Sequence, residues 1–131
     1  MKLEQLVWRK TSGWAGEASK AMKDAQLALV FGSREALENS GSLDELAKRY
    51  PTATLFGCST AGEIHNTRVY DDSLVVTAVR FERTQLRAVS IDIPDKSADS
   101  FACGHQLADK LPREGLCHVF VLSDGVHVNG S

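Results

Sequence analysis

The stretch LALVFGS, Leu27–Ser33, decides the fold, because five consecutive apolar residues end there at a glycine and a serine. A short, continuous apolar run is typical of a strand buried on both faces of a sheet. A second run, Ala53–Phe56, ends in the turn Gly57–Thr60. The roughly 20 residues between the two runs carry helix signals, a candidate N-cap at Ser33 and a capping-box pattern at Ser42. The sequence therefore predicts two parallel strands joined by a helical crossover.

The remaining periodic segments extend this pattern in both directions along the chain. Small apolar residues at helical spacing predict a helix over about Trp14–Gln26, and Ser97–Lys110 is predicted as another helix. Leu74–Phe81 and Leu86–Ile93 predict an antiparallel hairpin, and Leu116–Leu122 a further buried strand. The predicted fold class is α/β, a mixed sheet with a parallel βαβ core, one antiparallel hairpin and flanking helices.

Length and composition limit the functional classes. The 131 residues, 43% hydrophobic and 24% charged, predict a single domain, 1–131. Fifteen basic and 17 acidic residues argue against a nucleic-acid partner, and no apolar run is long enough for membrane insertion. The first residues lack the apolar stretch of a secretory signal, and three cysteines at unrelated spacings indicate neither disulfides nor zinc. We therefore expect a cytoplasmic protein. Because no helix signal follows the last predicted strand, we expect the N-terminal part of a longer chain.

Candidate chemistry lies in three turns that follow predicted strands, at Gly32–Ser33, Gly57–Thr60 and Ser123–Gly125. If the strands are parallel, these turns meet at one sheet edge, where open α/β sheets bind ligands. Glycine permits close approach to a ligand, and free N–H and hydroxyl groups can hold an anion or a carbonyl. The competing interpretation is that glycine, serine and aspartate only form turns.

Individual residues leave alternatives open. Glu63 is a candidate anchor for a ligand amine or for a neighbouring loop, although surface glutamate is common. Cys58 or Ser59 would be the nucleophile if the chain were an acyl-transfer enzyme, but no base is identifiable by spacing, so we expect no enzyme activity. His65 and His127 are candidate axial ligands of a haem iron.

Two segments carry a family resemblance. LFGCSTAGEI, Leu55–Ile64, resembles the hallmark of the FIST domain, a sensory module named for F-box and intracellular signal transduction proteins. VLSDGVHVNGS, Val121–Ser131, resembles the second hallmark of that family. His127 stands where a polar residue such as asparagine is more frequent, which makes it worth testing as a ligand.

The resemblance implies a bacterial sensory domain that binds a small molecule and regulates a signalling partner. The implied partner is a histidine kinase or a cyclic-dinucleotide signalling protein, and a homodimer is a further candidate assembly. Amino acids are among the ligands proposed for the family, and one subgroup is similar to haem-based nitric-oxide sensors, so haem is the candidate cofactor. A scaffold without any ligand is an alternative. The candidate ligand-binding residues are Gly32, Ser33, Gly57, Cys58, Ser59, Thr60, Ala61, Gly62, Glu63, Ser123, Asp124, Gly125 and Asn129.

Overall fold

The computed structural model of the chain describes residues 1–39, 41–93 and 99–123. The chain divides into two compact units, Met1–Leu86 and Arg87–Ser131. The strands are β1 (Lys2–Arg9), β2 (Gly13–Ala15), β3 (Leu27–Gly32), β4 (Thr54–Ser59), β5 (Glu63–His65), β6 (Arg68–Tyr70) and β7 (Ser73–Arg80). The helices are α1 (Arg34–Asn39), α2 (Ser42–Arg49) and α3 (Ser100–Asp109), and a 3-10 turn spans Lys20–Met22.

A five-stranded sheet in the order β2-β1-β7-β3-β4 is the framework of the first unit. Strands β3 and β4 pair in parallel, and every other neighbouring pair in this sheet is antiparallel. Strands β5 and β6 form a separate antiparallel hairpin. The predicted fold class is confirmed.

The crossover between β3 and β4 consists of α1 and α2, as the helix signals predict. The hydroxyl oxygen of Ser33 accepts a hydrogen bond from the N–H of Ala36 at 3.2 Å, so Ser33 caps α1. Helix α2 begins one residue earlier than the capping-box pattern implies, because its N-cap is Gly41, at φ 63°, rather than Ser42. Ser42 instead donates its hydroxyl to the carbonyl of Ala36, which ties the two helices together.

The hydrophobic core lies on the face of the sheet that carries these two helices. Alternation along the strands directs one set of side chains to this face and the next set to the opposite face. The core consists of Leu6, Met22, Ala25, Ala28, Val30, Leu46, Tyr50, Val76 and Ala78.

The helix predicted over Trp14–Gln26 is wrong. Trp14 lies in β2, opposite Trp8 of β1. Gly13, the first residue of β2, and Gly16, which follows the strand, have φ values of 68° and 86°. Backbone at positive φ interrupts a right-handed helix. The buried Met22 and Ala25 produce the helical spacing, but they reach the core from a 3-10 turn and a loop.

The predicted hairpin is half wrong. Leu74–Phe81 corresponds to β7, but β7 pairs with β1 on one side and with β3 on the other. A strand has only two edges, so none remains for Leu86–Ile93, which is irregular. Strand β1 was not predicted, because only its second half carries a clear apolar signal.

In the second unit, α3 confirms the predicted helix with shorter bounds. The carboxylate of Asp99 caps this helix by accepting from the N–H of Phe101 at 2.9 Å. The side chain of Phe101 on this helix is 75% exposed. The strand predicted at Leu116–Leu122 is wrong as well, because these residues are irregular. The described part of this unit contains no strand that could supply ladder hydrogen bonds to it.

Candidate functional site

Two of the three predicted turns meet at the carboxyl ends of the parallel strands. Gly32 ends β3 and lies opposite Ser59, which ends β4. The N–H of Thr60 donates to the carbonyl of Gly32 at 2.8 Å. The N–H of Ser33 donates to the carbonyl of Ser73, the first residue of β7, at 3.0 Å. The predicted gathering of Gly32–Ser33 and Ser59–Thr60 at one edge therefore occurs.

The glycines in these strands serve the packing of the sheet. A Cβ on Gly57 would overlap the carbonyl oxygen of Val30 on β3. A Cβ on Gly32 would overlap the side chain of Leu74 on β7. Both positions require glycine because neighbouring strands approach closely, and this requirement holds without any ligand.

Glu63 is the buried polar centre of this edge, with an exposed fraction of 3%. Its Oε1 accepts a hydrogen bond from the hydroxyl of Thr60 at 2.8 Å. Its Oε2 accepts one from the hydroxyl of Ser73 at 2.6 Å. Glu63 thus joins the turn after β4 to the start of β7. A carboxylate offers about four lone-pair positions, so further acceptor capacity remains on both oxygens.

Arg9 and Tyr70 belong to the same corner and were missed by the sequence analysis. Arg9 ends β1 directly opposite Ser73, and Tyr70 ends β6 directly opposite Glu63. The guanidinium carbon of Arg9 lies 4.3 Å from the centroid of the Tyr70 ring. The Nε atom of Arg9 is buried and has no hydrogen-bond partner among the described residues. The signal that would identify these two residues is the strand register, which a single sequence does not contain.

An apolar cleft of about 180 Å³ lies in the βαβ unit, between α1, α2 and the two parallel strands. Its walls include Val30, Leu37, Leu43 and Leu55, and the half-buried Cys58 borders it. Ser59 and Ala61 are exposed, and Gly62 is half-buried in the turn that leads to β5. Cys58 therefore lies beside apolar side chains, whereas Thr60 and Glu63 lie in the polar network.

The third predicted turn belongs to the second unit. Ser123 is exposed and lies in the second unit. Asp124, Gly125, His127 and Asn129 fall outside the described residues.

The described residues do not fit a haem. His65 ends β5, its Nδ1 lies 3.4 Å from the side-chain nitrogen of Asn66, and it does not line the apolar cleft. That cleft, at about 180 Å³, is also smaller than the roughly 300–1,000 Å³ of pockets that enclose drug-sized ligands. Within residues 1–39, 41–93 and 99–123, no group of three or more His, Cys, Asp or Glu side chains is placed to hold a metal ion.

The fold and this edge define an α/β domain with a candidate ligand site at the ends of its parallel strands. The family model of the FIST N domain matches residues 26–131, and the chain belongs to this family. FIST domains are generally sensory domains of signal transduction. No curated protein and no solved structure matches the chain. Of the helices in the described ranges, none combines the length and the apolar character that crossing a bilayer demands.

Proposed function

We propose that this chain is a cytosolic sensory domain that binds a small molecule at the carboxyl ends of β3 and β4. The observation that carries the proposal is the hydrogen-bonded meeting of two strand-end turns around the buried carboxylate of Glu63. Open α/β sheets bind ligands at this position. Membership of the FIST family supports the sensory role.

The polar network suggests how binding would change the conformation. Glu63 begins the β5–β6 hairpin, and Thr60 and Ser73 hold its carboxylate from the two sides. A ligand amine that competes for this carboxylate would loosen the attachment of the hairpin. A ligand that bridges the N–H groups of the turns would tighten it. Either change shifts a conformational equilibrium only as far as the ligand distinguishes the two states.

A ligand screen by thermal shift, followed by isothermal titration, tests this function. Amino acids and other small metabolites are the probes, and a saturable rise in melting temperature identifies a binder. For an amine-bearing binder, Glu63→Gln should weaken the affinity about tenfold, since a charge-assisted hydrogen bond is lost. Glu17→Gln, at an exposed position, is the control. Unchanged affinity in Glu63→Gln would remove Glu63 as the amine anchor.

Haem-based nitric-oxide sensing is the narrower version of this proposal. Its support is the family resemblance and not the geometry around His65, because the described residues do not fit a haem. The test is an absorption spectrum during titration with haem and then with nitric oxide. A saturable Soret band that disappears in His65→Ala supports it. If the Soret band is retained in His65→Ala, His127 becomes the candidate axial ligand. If the wild-type chain shows no Soret band, the haem-based proposal is refuted.

A regulated partner is also part of the proposal, as a histidine kinase or a cyclic-dinucleotide enzyme. Its support is the family membership. The test measures the activity of such a partner with and without the domain and its ligand. We propose no catalytic role, because the carboxylate of Glu63 is hydrogen-bonded to Thr60 and Ser73 rather than to Cys58 or Ser59.

A further inference from the structure

Four residues, one from each of β1, β5, β6 and β7, form a closed ring at one corner of the first unit. Arg9 and Ser73 are cross-strand partners, so their side chains share one face of the sheet. Ser73 donates to Glu63, Glu63 lies opposite Tyr70, and the Tyr70 ring stacks on the guanidinium of Arg9. By strand alternation this face is opposite to the helix-covered core. The ring therefore holds one cation and one carboxylate beside a single serine.

The carboxylate of this ring has hydrogen-bond donors within the described chain, whereas the Nε–H of the cation has no acceptor there. Glu63 accepts two hydrogen bonds from hydroxyl groups. Arg9 is half-buried, and its Nε–H points to no acceptor in the described part of the chain. Other arginines of this unit do have carboxylate partners, since Arg34 pairs with Glu38 and Arg80 with Asp24, both at 2.8 Å. A buried guanidinium N–H without an acceptor is unfavourable, and an anion supplied from outside would satisfy it.

We propose that Arg9 binds the carboxylate of the sensed ligand. Stacking on Tyr70 covers one flat side of the guanidinium and holds its plane. A fixed guanidinium edge matches a carboxylate through two parallel N–H···O bonds. Because Ser73 lies opposite Arg9 and also donates to the carboxylate of Glu63, a ligand with both a carboxylate and a positive group fits this corner best. The assignment rests on the function proposed above and adds the residue that binds the anionic end of the ligand.

The experiment observes the Nε–H group of Arg9 directly, in the ¹⁵N-labelled chain by NMR. The signal is assigned from its disappearance in Arg9→Lys. Sodium acetate and sodium succinate are the carboxylate probes, sodium phosphate is the alternative anion, and sodium chloride corrects for ionic strength. We expect a saturable shift of the Arg9 signal with a carboxylate and a much smaller one with chloride. In Arg9→Met, backbone amides of the two turns should report an affinity at least about tenfold weaker.

Controls separate this assignment from the proposed function and from misfolding. Arg34→Met removes an exposed arginine of the same unit and should leave the affinity unchanged. Carboxylate binding that is equal in Arg9→Met and the wild type overturns the assignment while leaving the proposed function intact. A shift with phosphate alone, or equal shifts with all anions, overturns it as well. If Arg9→Met does not fold, the shift of the Arg9 Nε–H signal in the wild-type chain still tests the assignment.

Discussion

Removing the charge of Glu63 tests whether its network organises the candidate site. The carboxylate is 3% exposed and accepts hydrogen bonds of 2.8 and 2.6 Å from Thr60 and Ser73. Glu63→Gln keeps the shape and one acceptor oxygen, but it places an NH₂ group against one of the hydroxyls. A hydrogen bond to a charged group contributes about 1.5–3 kcal/mol, so we expect a loss of about this size in the free energy of unfolding. The corresponding fall in melting temperature is roughly 5–10 °C.

Urea unfolding followed by circular dichroism measures this loss, with an unchanged slope showing that the same surface unfolds. Glu17→Gln is the matched control, because it makes the same chemical change at an exposed position and should stay within about 0.5 kcal/mol of the wild type. If Glu63→Gln is no less stable than Glu17→Gln, the carboxylate does not hold the turn to β7. The reasoning about the site would then be refuted.

Two further substitutions test the framework around the site. Burial and the negative charge of Glu4 raise the pKa of Tyr50, whose hydroxyl donates to Glu4 at 3.2 Å. A raised pKa stabilises the fold below the unfolded pKa of about 10, and this stabilisation is lost as the pH rises above it. Tyr50→Phe should lower the free energy of unfolding by about 0.5–1.5 kcal/mol at pH 7. As the pH rises above about 10, this variant should lose less stability than the wild type. Identical alkaline unfolding profiles of the two proteins would contradict this expectation. Gly57→Ala should cost about 1–3 kcal/mol in urea unfolding, because its methyl group overlaps the carbonyl of Val30. Gly104→Ala, which has open space at the added methyl, should not destabilise, and equal effects of the two glycine variants would contradict the overlap.

The elements that the sequence predicts correctly are those specified by local signals. Leu27–Phe31 and Ala53–Phe56 are apolar, bounded by turns and separated by capped helices, so their pairing follows from chain order and the handedness of crossovers. Leu86–Ile93 alternates in the same way as a strand, yet β7 has no free edge for it. An alternating pattern indicates that a segment is able to form a strand, but it does not show that a neighbouring strand has a free edge to pair with it.

The residues of the candidate site also differ in whether local sequence signals predict them. Gly32–Ser33 and Gly57–Glu63 follow predicted strands, so their gathering at one edge could be anticipated from topology. Arg9 could not, since it ends a strand with little apolar signal and becomes relevant only through its register with Ser73. Tyr70 reaches the corner because β5 and β6 form a short hairpin, a feature that three-residue strands do not reveal in sequence.

The most direct test of the central claim is a map of backbone amide shifts on ligand binding, measured in the ¹⁵N-labelled chain with the binder found by thermal shift. The account predicts that the largest shifts cluster at Ser33, Thr60, Glu63 and Ser73, at the carboxyl ends of the two parallel strands. Shifts centred on the apolar cleft around Leu37 and Leu43, with this cluster unmoved, would contradict it.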